Sequence, residues 1–163
     1  MKIVSNTGPM IGLAKIGLLL ILDQLSSEVL IPPMVHKELM GKIGEEFEQI
    51  DKALKEFVRV TDFDPTDPIT ENAVSGLDEG EKQVLSLASS LGGDVLVLMD
   101  DRAGREAAVR MNIPVSGVVG VLLFAKERGL FEKITPFLEE LRSKGYWLSD
   151  EVITISKKIA GEV

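Results

Sequence analysis

The chain has 163 residues, 45% of them hydrophobic, with no cysteine and one histidine. That suits one domain with an ordinary core, and it excludes disulfides, thiolate zinc sites and multi-histidine metal sites. Acidic residues outnumber basic ones 26 to 18, giving a net charge of −8. A protein that holds nucleic acid purely by charge is basic. Two readings remain: no nucleic-acid partner, or carboxylates that bind cations at a site.

Residues 2–5 read as a first strand, Pro9–Leu25 as a helical region broken at Gly12 and Gly17, and "EVLI", 28–31, as a second strand. "PPMVHKELMG", 32–41, starts a helix on proline, which the first helical position tolerates. Glu45–Phe57 is a further helix, "VRVTDF" a third strand, and Asp64–Gly76, rich in Pro, Asp and Thr, an exposed loop. In 77–94, Val84, Leu87, Ala88 and Leu91 recur at helical spacing until Gly92-Gly93 stops them. "VLVLM", 95–99, is a continuous apolar run, as expected of a parallel strand buried on both faces. "DDRAGREAAVRM" is a helix and "PVSG" a short strand; Val118–Arg128, Thr135–Lys144 and Ser149–Ala160 are helices. Strands alternate with helices, which predicts an α/β fold: a three-layer α/β/α sandwich with a mostly parallel central sheet. We expect one domain over 1–163, with the C-terminal helices of 134–160 packed on it or extending it.

The N-terminal segment does not read as a leader, because Asn6, Thr7, Pro9 and Lys15 interrupt it and no cleavage site follows Leu22. It is also far short of the ~20 apolar residues of a membrane span. A cytoplasmic protein with no membrane partner is expected.

Parallel strands end on one edge of their sheet, so polar residues just after them converge. Asn6 follows the first strand, and Asp100 and Asp101 follow "VLVLM". Glu81 lies in the first turn of the helix before that strand, and Glu38 near the end of the helix after the second strand. Each has a plainer role open to it. Asn6 suits an N-cap. "DEGE" suits a capping box between Asp78 and Glu81. Asp100 or Asp101 suits the cap of the helix beginning at Arg102, although one cap does not explain two adjacent carboxylates. Glu38 near a helix C-terminus opposes the helix dipole, which favours a role outside the helix. His36 reads as a surface or half-buried helix residue with no part in chemistry. Arg102 and Arg105 share a helix face; they form either a solvated face with Glu106 or a basic rim for phosphates.

In their order, "VSNTGPMIGLAKIGLLLILDQL", "VLIPPMVHKEL" and "LDEGEKQVLSLASSLGGDVLVLMDDRAGREAAVRMNIPVSGVVGVLLFAKERGL" resemble a PIN domain. The chain is most similar to the VapC-like branch of archaeal and bacterial PIN proteins with a "DDRAGR"-type segment, and its tail "LRSKGYWLSDEVITISKKIAGE" is similar to that branch too. The resemblance implies a metal-dependent ribonuclease, the toxin of a toxin–antitoxin pair. A small antitoxin protein, an RNA substrate and a homodimer are the implied partners. It implies that Asn6, Glu38, Glu81 and Asp101 hold Mg²⁺ or Mn²⁺, with Asp100 in close support, and that Glu38, Glu81, Asp101 and Asp100 carry the catalysis. Thr7 matches the hydroxyl residue that follows the first acid; with Arg102 and Arg105 it is expected to touch RNA. The family's first acid is normally aspartate, and here it is Asn6. An amide oxygen still ligates a hard cation but brings no charge. The alternative is a weakened or inactive PIN scaffold that serves as a binding or regulatory module.

Overall fold

The computed structural model describes residues 1–42 and 44–163. Five strands form one all-parallel sheet: β1 (Lys2–Ser5), β2 (Glu28–Ile31), β3 (Val58–Val60), β4 (Val95–Leu98) and β5 (Val115–Ser116). Ten helices surround it among the described residues. They are α1 (Thr7–Lys15), α2 (Ile21–Leu25), α3 (Pro33–Met40), α4 (Glu45–Glu56), α5 (Pro68–Val74), α6 (Glu79–Leu91), α7 (Arg102–Arg110), α8 (Val118–Glu127), α9 (Thr135–Ser143) and α10 (Asp150–Ala160). The result is an α/β/α sandwich.

The strand order is β3-β2-β1-β4-β5. The chain therefore steps outward from β1 on one side, then returns to the other side of β1 with β4. Ile3 stands opposite Val29 on one flank and Leu96 on the other. In an open parallel sheet, ligands bind where the winding reverses, beyond the carboxyl ends of the strands. Here that point lies between the ends of β1 and β4. The ladder runs one bond past β1, since the Asn6 amide donates to the Leu98 carbonyl at 2.9 Å. Asn6 and the segment after Leu98 are thereby fixed side by side.

The central strands are buried because both faces carry apolar residues. Ile3, Val4, Val97, Leu98 and Met99 are almost wholly enclosed. Edge strand β3 is shorter than expected: it stops at Val60, and Arg59 and Val60 are exposed. Gly12 does not break α1, which runs through it to Lys15; the break comes at Gly17, where φ is +68°. The expected loop 64–76 contains a helix, α5. Asp67 caps it by accepting from the Thr70 amide at 2.7 Å, and Pro68 takes the first helical position. Asp and Pro there are helix-start residues, not loop composition. Among the described residues no helix is long and apolar enough to cross a membrane.

Candidate active site

The first turn of α6 is the floor of the site, and Gly80 measures it. A methyl group built on Gly80 would stand 2.6 Å from Glu38 Oε1, 3.4 Å from Asn6 Oδ1 and 3.6 Å from Asp78 Oδ1. Three oxygens from three parts of the chain thus converge over one backbone position, and only glycine lets them close in. Asn6 occupies the N-cap position of α1, yet its side chain makes no capping bond. Its amide oxygen is left facing the cleft. Glu38, half-buried, accepts from Thr7 Oγ1 at 3.1 Å. Helix α3 ends at Gly41, so Glu38 does lie in its last turn.

Glu81 and Asp101 meet on the other side of that turn. Glu81 is 5% exposed. Its Oε1 accepts from the Asp78 amide at 3.3 Å, and the Glu81 amide donates to Asp78 Oδ1 at 2.8 Å, so the capping box is real. That uses one oxygen only. Oε2 is buried with no hydrogen-bond partner. It points at α7, where a methyl group on Gly104 would come within 2.6 Å of it. Asp101 caps α7 by accepting from the Gly104 amide at 3.1 Å. Burial pushes the Glu81 carboxyl up to about 8, helped by the carboxyls of Asp78 and Asp101 beside it. A hydrogen bond between Glu81 and Asp101 exists only while one of them carries a proton.

Asp100 parts company with its neighbour. Tyr146, in the turn before α10, donates its hydroxyl to Asp100 Oδ2. The tyrosine ring lies against α1, where a methyl group on Gly12 would come within 2.9 Å of it. Asp100 is exposed as a residue, yet its carboxyl is tucked among Gly8, Gly117 and Tyr146. That burial raises it, against the Tyr146 hydroxyl, the Val118 amide and the Arg105 guanidinium, which lower it. Adjacent in sequence, the two aspartates have different work: one faces Glu81, the other holds Tyr146.

Arg102 is 93% exposed and pairs with Glu106 at 3.1 Å, the solvated-face arrangement. Arg105 turns toward Asp100; a methyl group on Gly117 would meet Asp100 Oδ1 at 3.3 Å and an Arg105 guanidinium nitrogen at 3.4 Å. His36 is half-buried on α3. Sequence reasoning missed Tyr146 and its neighbour Trp147, which lie 46 and 47 positions after Asp100 with no motif to link them.

Every donor here is oxygen, which suits Mg²⁺ or Mn²⁺. The orphaned Glu81 oxygen, buried and anionic when ionised, is the feature that most needs a cation. Among the described residues, however, no three His, Cys, Asp or Glu side chains stand close enough to make a ready metal cage. At Gly80 one of the converging oxygens belongs to an amide and not to an acid. The residues fit a hard cation, with one neutral ligand in the set.

An open parallel sheet with oxygen-bearing side chains from separate parts of the chain at its switch point defines an α/β protein with a polar, largely acidic site there. The sequence model of the PIN-domain family matches residues 2–162, and the chain belongs to that family, whose fold is a nuclease fold. No curated protein matches the sequence.

Proposed function

We propose that the protein is a metal-dependent ribonuclease of the VapC-like PIN branch, cleaving RNA phosphodiesters with Mg²⁺ or Mn²⁺, as the toxin of a toxin–antitoxin pair. The observation that carries the nuclease reading is the buried, partnerless Glu81 Oε2 facing Asp101, with the Asn6 and Glu38 oxygens on the other side of the first turn of α6. Asn6, Glu38, Glu81 and Asp101 would hold the ion. When bound, it supplies an activated water and neutralises charge on the phosphate. Thr7 fixes the Glu38 carboxylate, and Asp78 fixes that of Glu81. Burial raises the affinity of the Glu81 carboxyl for a proton, and a bound cation would favour its ionised form. The toxin role, the small antitoxin and the homodimer follow from the VapC likeness alone.

A second reading has its own support. Asn6 removes one charge, and the acids form no ready cage. This favours a PIN scaffold of weak or no activity that binds or regulates. The two readings separate on metal binding. A cation that binds only the folded state raises the melting temperature. The nuclease reading expects Mn²⁺ at low millimolar concentration to do so in the native protein; no shift supports the scaffold.

A further inference from the structure

Trp147 is the only tryptophan in the chain, and it is 82% exposed. Its neighbours are fixed. The Tyr146 amide donates to the Leu141 carbonyl at 2.9 Å, and the Tyr146 hydroxyl is bound to Asp100. Leu148 is buried. The indole is therefore held out into solvent by a backbone anchored on both sides.

Two cavities meet beside it. One, of about 590 Å³, is walled by Trp147, Tyr146, Asp100 and Arg105. The other, of about 680 Å³, shares Asp100 and Arg105 and adds Arg102, its partner Glu106, and Arg110. An exposed indole thus stands at one end of a groove and three guanidinium groups at the other. Asp100 and Glu106 offset two of these charges, since the Asp100 carboxyl lies against Tyr146 and Arg105 and Glu106 pairs with Arg102, and one net positive charge is left. In a chain of net charge −8 this is a local reversal of sign. Both cavities are lined by Asp100, the chain neighbour of Asp101.

We propose that Trp147 and Arg105 form a subsite for single-stranded nucleic acid. The indole stacks on one base, and the guanidinium groups receive the flanking phosphates. The proposal rests on the nuclease reading above and names where the substrate lies. Stacking on an exposed aromatic needs no particular base, and aromatic platforms beside basic grooves suit single strands.

The test uses the full protein in excess chelator, so that no chemistry intervenes. An 8-nucleotide oligouridylate labelled at one end is titrated, with anisotropy reporting binding and Trp147 fluorescence reporting the site. Saturable binding with strong quenching is expected. An abasic strand of equal length should bind roughly 5- to 100-fold more weakly, as should Trp147→Ala with the uridylate, while Trp147→Phe keeps most of the affinity. A far-UV spectrum and melt of Trp147→Ala matching the native protein show that the fold is intact. Binding by anisotropy without quenching, or equal affinity for the abasic strand, would overturn the subsite and leave the nuclease reading standing. No binding of either strand would overturn the subsite, whereas failure of the nuclease reading shows separately, as no metal-dependent cleavage. A Trp147 signal that tracks protein concentration alone would assign the surface to a second copy and overturn the subsite.

Discussion

Thr7 Oγ1 donates to Glu38 Oε2 at 3.1 Å across 31 positions of sequence. Thr7 is the first residue of α1 and Glu38 lies in the last turn of α3. The bond closes the helix that leaves β1 onto the helix that leaves β2, and it aims the other carboxylate oxygen over Gly80. Thr7→Val removes the donor while keeping the shape. Glu38 is half-buried, so water replaces part of the bond, and the cost expected is about 1 kcal/mol. For a chain this size that lowers the melting temperature by about 2–4 °C, while Thr7→Ser stays near the native value. If Thr7→Val melts as the native protein does, the bond is not what holds Glu38.

Glu81 is a carboxyl kept where a neutral group is easier to keep. Its folded value, about 8, lies above its ordinary 4.5. The folded state therefore binds the proton more tightly than the unfolded state, and stability falls as pH rises from about 4.5 to 8. Glu81→Gln keeps the capping box, which accepts glutamine at that position, and removes the charge. In chelator at pH 8.5 it should melt higher than the native protein, by about 2–4 °C for each kcal/mol relieved. It should also lose any Mn²⁺-dependent shift. A variant less stable than native in chelator would contradict the burial argument.

Asn6→Asp restores a charge where the amide oxygen now faces Glu38 and Gly80. Without metal it adds repulsion and should lower the melting temperature. With metal it adds attraction, about 4 kcal/mol per unit of cation charge at 4 Å and an effective dielectric of 20, offset in part by repulsion from the other carboxylates. A tenfold fall in the Mn²⁺ concentration giving half the thermal shift is expected, about 1.4 kcal/mol. Cleavage should rise with it. Unchanged Mn²⁺ dependence would mean that position 6 does not touch the ion.

Glu162 is a separate device. Its carboxylate accepts from the Ile134 and Thr135 amides at 2.9 Å, from Thr135 Oγ1 at 2.7 Å and from Lys126 Nζ at 2.9 Å. It thereby satisfies the free amides at the start of α9 and pins the segment after α10 to α8 and α9. Burial alone would raise the carboxyl, but the Ile134 amide, Lys126 and Thr135 together hold it at about 2. The stabilisation is present above its ordinary 4.5 and is lost as pH falls toward 2. It amounts to roughly 3 kcal/mol at neutral pH. Urea midpoints at pH 7, 4 and 3 should converge for native protein and Glu162→Gln as pH falls. Parallel curves would show that the Glu162 charge does not matter.

Much of this was legible in the sequence, for physical reasons. The buried strands announce themselves as apolar runs, and α6 carries both its stop at Gly92 and its capping box in plain residues. Family order placed Asn6, Glu38, Glu81 and Asp101 near one edge, and the structure brings them together in two pairs. The rest lay beyond local pattern. Helix α5 was hidden by Pro, Asp and Thr, whose meaning depends on whether Asp67 caps or merely turns. The split between Asp100 and Asp101 is settled by Tyr146, 46 positions away. Capping and chemistry also turned out not to compete at Glu81, because one carboxylate has two oxygens and the box uses only one.

The central claim is that this site cleaves RNA with a divalent cation despite Asn6. The direct measurement is cleavage of an end-labelled single-stranded RNA in Mn²⁺, in Mg²⁺ and in chelator, beside Asp101→Asn prepared identically. Asparagine is as good a cap as aspartate, so the variant keeps the α7 start and loses only the charge. The account predicts cleavage by the native protein that chelator abolishes and that Asp101→Asn reduces at least a hundredfold. Equal cleavage by both proteins, or none by either, would contradict it and leave the PIN fold as a scaffold.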